Sequence, residues 1–506
     1  MATPKTPKPA PPTNHGRSTA EANAVRSNLV KPGRFGLLFP ELASSPWTTG
    51  NPATDEQVSV ELAKAMHAPG QKVGVIPAGF TYFGQFVDHD ITFDPTSIGE
   101  NAVDVDDLTN FRTPALDLDN LYGSGPRDQP FLYRRDSGGT ASQFLIGPVI
   151  QPGPAAPGGT DAKVIAQDGA SYDLPRACDS LSERTAIIGD KRNDENLIVA
   201  QLHRTLLHFH NALCLQTPEL SFADVRKRVI HHYQRILLNQ FLPLICGNKA
   251  VKDALEELKF YKIGPGELAT ESFIPLEFSG AAYRFGHSMV RSKYHFNKVF
   301  NPATGLDDFR FAFTFTGDGG FFGLPRYPTN WLLDWRQFFP GLGPKPQMAM
   351  AIDASISDQL LIPPNNTPLA ELNLKRGFRH YKLPSGQAVA ERMGLPVLSA
   401  ATMKSGIGGD VIKKFNIATQ TPLWFYLLKE AGAKTGGKHL GPVGAAIVAE
   451  VFVGLLKDDP ESVLSSPTPA LPSADGKFKI ADMFKFIEAK KGKGNIPAAG
   501  VINPLG

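Results

Sequence analysis

From Asn196 to Leu215 the chain reads NLIVAQLHRTLLHFHNALCL, and its apolar residues return at intervals of three and four. Leu197, Val199, Ala200, Leu202, Leu206, Leu207, Phe209, Leu213 and Leu215 form that series. Such a period predicts a long helix, and the width of the apolar stripe predicts that most of it is buried. Phe222 to Leu242 continues similarly through Val225, Val229, Ile230, Ile236 and Leu237. Two more helices are expected at Pro422 to Ala431 and Val443 to Lys457, with Gly436-Gly437 as a breaker between them. Strand-like alternation is rare. Phe309 to Thr316 (FRFAFTFT) alternates in part, and Thr140 to Tyr172, rich in Gly, Pro and Ala, offers short strands at most. No internal repeat and no composition break divides the chain after its first residues, so one large, mainly α domain is expected over 31–506.

Composition narrows this picture further. The 506 residues are 42% hydrophobic and 20% charged, which is globular and ample for a large core. A formal net charge of +3 gives no electrostatic reason to expect nucleic acid as a partner. The 48 Gly and 43 Pro predict long ordered loops. Cys178, Cys214 and Cys246 form no CxxC and no paired framework, so the fold should not rest on disulfides. Residues 1–30 begin MATPKTPKPAPPTNHGRS, Pro- and Lys-rich without an apolar h-region, and read as a disordered tail and not a secretory signal. Gly441 to Leu456 is apolar but short and carries Glu450, so no integral membrane segment is expected. A soluble protein follows, cytoplasmic or exported without a cleavable signal peptide.

The stretch FGQFVDHDITF, residues 83–93, puts two carboxylates beside one histidine in an apolar run. Burying such groups is expensive unless each has a partner. On a helix, Gln85 and His89 stack on one face at i and i+4. Asp88 and Asp90 then lie about 100° to either side of His89, on nearly opposite faces. One site would hold Gln85, His89 and Asp88; Asp90 must serve another. Three further clusters stand out: Arg192 with Glu195 at i and i+3, Arg284 with His287 at i and i+3, and Thr113-Pro114-Ala115-Leu116-Asp117-Leu118-Asp119. The last alternates oxygen-bearing residues at a spacing suited to a hard cation. Each alone reads as readily as a surface ion pair or a turn.

Together, GQFVDHD, TPALDLDNLYG, RNDE followed by LHRTLLHFHNAL, YRFGH and ELNLKR resemble, in order and spacing, the peroxidase–cyclooxygenase superfamily: the animal-type haem peroxidases, in their bacterial form. The resemblance runs from about residue 35 to 457. It implies a mainly α, single-domain fold of the myeloperoxidase/cyclooxygenase type, with little β, around haem b. His89 is then the distal acid–base, Arg192 the distal cation and Gln85 the distal glutamine. His287 becomes the iron ligand, with Asn373 accepting its ring N–H, and Arg284 and Arg376 pair with haem propionates. Asp88 and Glu195 match the carboxylates that form haem ester links in mammalian members, a link the resemblance leaves open here. Asn196 stands where a methionine can form a third link, so that link should be absent. Asp90, Thr113, the carbonyl of Ala115, Asp117 and Asp119 would hold Ca2+. Ala115 replaces an aromatic and Asp119 a serine, so the cation site gains a third carboxylate.

The implied activity is reduction of hydrogen peroxide with oxidation of small donors: phenols, halides or thiocyanate. One rival is a fatty-acid dioxygenase of the same superfamily, which needs a tyrosine three residues before the proximal histidine. That position is Arg284, and Tyr283 is one residue off. The other rival is a haem-free, calcium-stabilised binding protein. His203, His208 and His210 suggest a metal site at first sight, but no acidic partner lies between them, so core packing or hydrogen bonding is the expectation. Gly317-Asp318-Gly319-Gly320 lies in no βαβ pattern and is discarded as a dinucleotide loop.

Overall fold

In the computed structural model the predicted central helix runs from Leu197 to Gln216, buried throughout except at Leu215 and Gln216. The structure describes residues 33–506 except 68–69, 95–107, 135–141, 152–168, 178–184, 262–271, 314–325 and 363–366. The tail at 1–30, Cys178, the Gly317–Gly320 stretch, Thr314 to Thr316 and part of Thr140 to Tyr172 lie outside those residues.

The main helices run in the order α1 (Pro52–Met66), α2 (Gly79–Ile91), α3 (Leu197–Gln216), α4 (Phe222–Ile236), α5 (Leu242–Glu256), α6 (Leu369–Lys375), α7 (Leu423–Thr435), α8 (Pro442–Asp458) and α9 (Ile480–Glu488). The fold is mainly α and single-domain, as expected. Helix α3 is its axis: α2, α4 and α9 all pack on it. Its start is set by Asn196, whose side-chain oxygen accepts from the N–H groups of Ile198 and Val199, the usual way to satisfy open helix donors. Truncating one of its buried leucines to alanine should cost about 2–5 kcal/mol.

The apolar run 222–242 is one helix and the start of another. A π-helical turn, Leu237–Phe241, joins α4 to α5. Pro243 explains it: proline has no N–H to donate back along the helix, and its ring crowds the carbonyl four residues earlier. The widened turn places Phe241 against Phe80 and Phe83 of α2. A Cβ at Gly84 would come within 3.1 Å of that ring, which is why α2 can sit so near. Helix α7 ends where Gly436 and Gly437 take positive φ angles of 65° and 74°.

Strands are few and short. Gly33–Gly36 pairs antiparallel with Thr109–Asn110 and parallel with Ile274–Pro275, and Val73–Pro77 pairs with Met348–Met350. The strand expectation at Phe309 to Thr316 fails over the part described: Phe309–Phe313 is a 3-10 helix. Asp308 closes that turn by accepting from the Arg310 N–H at 2.8 Å, and burial falls on Phe309 and Ala312, three apart. Cys214 and Cys246 are free and buried. Among the described residues, no helix is long and apolar enough to cross a membrane.

Candidate active site

A cavity of about 330 Å3 opens between α2 and a 3-10 segment, Ala282–Met289. From α2 come Gln85, Asp88 and His89, joined by Glu195 and Asn196. Tyr283, Arg284, Gly286 and His287 line it from the 3-10 segment, and Phe309, Phe313, Leu360 and Leu369 form an apolar flank. On α2 only Gln85 and Asp88 escape full burial, so the exposure pattern itself marks the face turned to the cavity. A Cβ built at Gly286 would meet nothing within 4 Å, so the backbone there borders open space.

His89 is gripped twice by the short 3-10 helix Lys191–Asp194 that precedes α3. Its ring Nδ1–H donates to Asn193 Oδ1 at 2.8 Å, and its backbone carbonyl accepts from Arg192 at 3.1 Å. With Nδ1 carrying the proton, Nε2 keeps its lone pair. Burial, then the Arg192 charge, lowers the His89 pKa to about 4, so the ring is neutral at pH 7. Gln85 is oriented by Asn196, whose amide donates to its side-chain oxygen at 3.1 Å. Asp88 accepts from the Thr92 hydroxyl at 2.9 Å.

Arg192 itself stands behind His89 and not among the residues lining the cavity. Asp190 holds it, accepting from Nε at 3.1 Å and from the terminal nitrogen at 2.7 Å, and the guanidinium lies over the Phe93 ring at 4.4 Å. Asp190 also accepts from Arg112, by Nε at 2.9 Å. Burial works against ionising Asp190, but the bonds and charge of Arg192, then Arg112, hold its pKa well below the usual carboxylate range.

On the other wall, His287 Nδ1 lies 2.7 Å from the Asn373 amide. The expectation that Asn373 accepts from this ring is not what the structure draws: the amide nitrogen faces Nδ1. The reason is Arg284, which donates to the amide oxygen at 3.5 Å. Burial, then Arg284 and Arg376, lowers the His287 pKa to about 3. Burial first, and then the like charge of Arg376, also lowers the Arg284 pKa to about 10, and its buried Nε has no partner. Two neighbouring guanidiniums with a bare buried N–H, beside a neutral imidazole and an open backbone edge at Gly286, fit a flat anionic cofactor with a metal at its centre.

Asp90 turns away from this cavity. One of its oxygens lies within 4.8 Å of one oxygen each from Asp117 and Asp119, which are as near to each other. Both Asp90 oxygens and Asp119 Oδ1 are buried without a hydrogen-bond partner. Thr113 donates its hydroxyl to Asp117 at 3.1 Å, and Ala115 sits in the same loop. Leu118 adopts φ 57°, a costly conformation for leucine, and so reverses the chain between Asp117 and Asp119. Burial, then the Asp117 charge, raises Asp119 to about 7, and burial raises Asp90 and Asp117 as well. Three carboxylates this close, two of them buried and one half-buried, cannot all ionise comfortably without a cation; the donor set, all oxygen, fits a hard divalent ion. Arg112 reaches this cluster too, 3.5 Å from Asp119, and so links it through Asp190 to Arg192.

The three helical histidines are core residues. His208 Nε2–H donates to the Ser171 carbonyl at 3.0 Å, His210 Nε2–H to the Ser142 carbonyl at 2.9 Å, and His203 Nδ1 accepts from Asn193 at 2.9 Å. Asp190, Asn193 and Arg112 are site residues that the sequence reading passed over. A signal existed for two of them: Asp190 and Asn193 flank the Arg192 already singled out.

The sequence profile described as animal haem peroxidase matches residues 99–453. Heme peroxidase 2 of Caenorhabditis elegans is 25% identical over 429 residues, 74% of this chain and 58% of that protein. Chorion peroxidase of Drosophila melanogaster is 25% identical over 299 residues, 54% of this chain and 34% of its own length. A peroxidase-like protein of Margaritifera margaritifera is 30% identical over 130 residues, 23% of this chain and 16% of its own. The chain thus spans less than two thirds of each. Among solved structures, peroxidase A of Dictyostelium discoideum aligns with a TM-score of 0.56 at 17% identity, covering 94% of this chain and 95% of that one. The Oryza sativa fatty acid alpha-dioxygenase gives 0.55 at 14%, covering 94% and 82%. These two likenesses speak to the fold alone.

Proposed function

The chain belongs to the animal haem peroxidase family, and on that premise we propose that it is a haem-dependent peroxidase that reduces hydrogen peroxide and oxidises small donors such as phenols, halides or thiocyanate. The observation that carries this reading is one cavity bordered by two neutral histidines, His89 buried and His287 half-buried, each bonded through Nδ1 to an asparagine. Bound haem would supply the iron at which peroxide is reduced and would store the oxidising equivalents that donors later remove.

His89 acts as the base. Its Nε2 takes the peroxide proton and returns it to the departing oxygen, while Nδ1–H stays on Asn193. Arg192 supports the charge that develops nearby, although its bonds to Asp190 keep it at a distance and make it a background field more than a direct donor. Gln85, steadied by Asn196, offers a polar group to water or a halide. His287 would hold the iron through Nε2. For that, the Asn373 amide must turn so that its oxygen accepts Nδ1–H, and Arg284 must release it for a propionate. Arg376 adds positive charge beside Arg284. Asp88 and Glu195 border the cavity, where ester links to the cofactor are open to them. Asp90, Asp117 and Asp119, with Thr113 and Ala115, would hold Ca2+ and so brace the helix that carries His89.

The dioxygenase reading has one feature in its favour, a tyrosine lining the cavity. Tyr283, however, donates to the Gly84 carbonyl at 3.2 Å and stacks on Phe278, and Arg284 occupies the position that reading requires. The two readings part in a paired assay of the haem-loaded protein. Peroxide-dependent oxidation of a phenolic dye is expected. Oxygen uptake with linoleate and no dye oxidation would give the assignment to the dioxygenase.

A further inference from the structure

Asn193 joins two rings. Its Oδ1 accepts from His89 Nδ1–H at 2.8 Å and its Nδ2–H donates to His203 Nδ1 at 2.9 Å. His89 comes from α2 and His203 from α3; Asn193 and His203 are fully buried, and His89 is 5% exposed. An amide oxygen can only accept and an amide nitrogen can only donate. The bridge therefore couples the two tautomers: a proton on Nδ1 of His89 requires a bare Nδ1 on His203, and rotating the amide reverses both together. The drawn orientation places the negative end of the amide dipole toward His89. That is the side on which the Arg192 guanidinium sits, bonded to the His89 carbonyl. The backbone of Asn193 is pinned as well, by its N–H to the Asp190 carbonyl at 3.0 Å.

We propose that Asn193, backed by His203, is a positioning residue that locks His89 in the Nδ1–H tautomer and ring orientation, so that the Nε2 lone pair is presented to the cavity. A free imidazole favours the opposite tautomer, with Nε2 protonated, which would have no lone pair to offer peroxide. His203 is then not idle packing. It occupies the amide nitrogen, and because the amide couples the two rings, that nitrogen reaches His89 only if His203 changes tautomer at the same time. The consequence for rate rests on the peroxidase reading above; the tautomer assignment does not.

The test uses the full chain labelled with ¹⁵N-histidine, reduced and bound to carbon monoxide so that the haem form is diamagnetic, with His89 signals identified by their loss in His89→Gln. Long-range proton–nitrogen correlations should show His89 protonated on Nδ1 and His203 protonated on Nε2. Asn193→Leu should move His89 toward the Nε2–H form. It should also lower kcat/KM for peroxide roughly ten- to hundredfold with the KM for donor unchanged. Asn193→Asp accepts at both ends, so His89 should keep Nδ1–H, His203 should gain it, and part of the peroxide rate should return. His89 protonated on Nε2 in the parent chain overturns the inference. So does an unchanged His89 pattern in Asn193→Leu, or equal losses of rate in the two variants with no change of tautomer. If Asn193→Leu does not fold, the parent pattern and the His203 change in Asn193→Asp still decide. If the chain turns out not to be a peroxidase, the same nitrogen shifts are read in the protein without haem, which separates failure of the lock from failure of the function.

Discussion

His89 and His287 both border the cavity, are both neutral at pH 7, and are both bonded through Nδ1 to an asparagine, yet the two asparagines are held in opposite senses. Asn193 presents its oxygen to His89 and is fixed at its far end by His203. Asn373 presents its nitrogen to His287 because Arg284 takes its oxygen, at the long distance of 3.5 Å. One arrangement is fastened at both ends; the other is fastened by a charge that a cofactor's carboxylate would draw away. The same residue pair thus serves a rigid base on one wall and, on the other, a ligand whose amide partner is free to turn once an anion arrives.

The sharpest way to break this comparison is to remove each ring in turn. His287→Gln should abolish stable haem retention. His89→Gln should keep haem while peroxide turnover falls by about 10²–10⁴-fold, the range general acid–base catalysis supplies. Absorption spectra and stopped-flow rates on both variants check this; equal haem loss in the two would erase the division between the walls.

A smaller effect concerns the cation that would brace the His89 side alone. Raised carboxyl pKa values mean that the folded state of the bare cluster prefers to bind protons. Its contribution to stability is present below the unfolded value near 3.8 and is lost as pH rises through about 7, the value for Asp119. A divalent ion removes that penalty. Chelation should therefore lower Tm more at pH 8 than at pH 5, and Asp90→Ala should abolish the difference. Scanning calorimetry with and without added Ca2+ is the measurement. Smallest of all, Asn196→Ala should cost about 1 kcal/mol through loss of the α3 cap. It should also loosen Gln85 on the His89 side while leaving haem binding at His287 unchanged.

Periodicity carried the helices well where burial is one-sided or complete. The α3 pattern and its Asn196 cap are both visible in NLIVAQLH. Aromatic alternation at Phe309 misled, because a side chain, Asp308, closes a tight turn that no hydrophobic pattern reports. In the site, the opposite facing of Asp88 and Asp90 follows from helix geometry, and the structure places them at the cavity and in the acidic cluster respectively. What the sequence could not show is contact across long separations. Asn193 meets His89 across 104 positions, and Arg112 meets Asp190 across 78. The pull of Asp190 on Arg192 is nearly local, two residues apart, but its outcome depends on Phe93 and the His89 carbonyl closing around the same guanidinium.

The central claim is that this cavity binds haem between His89 and His287 and uses it on peroxide. Titrating the full chain with haem, then adding one equivalent of hydrogen peroxide, tests it directly by absorption spectroscopy. A Soret band that saturates at one haem per chain, shifts on peroxide and returns on adding a phenol is the predicted result. A chain that gives no Soret band, or one whose band ignores peroxide, contradicts the account.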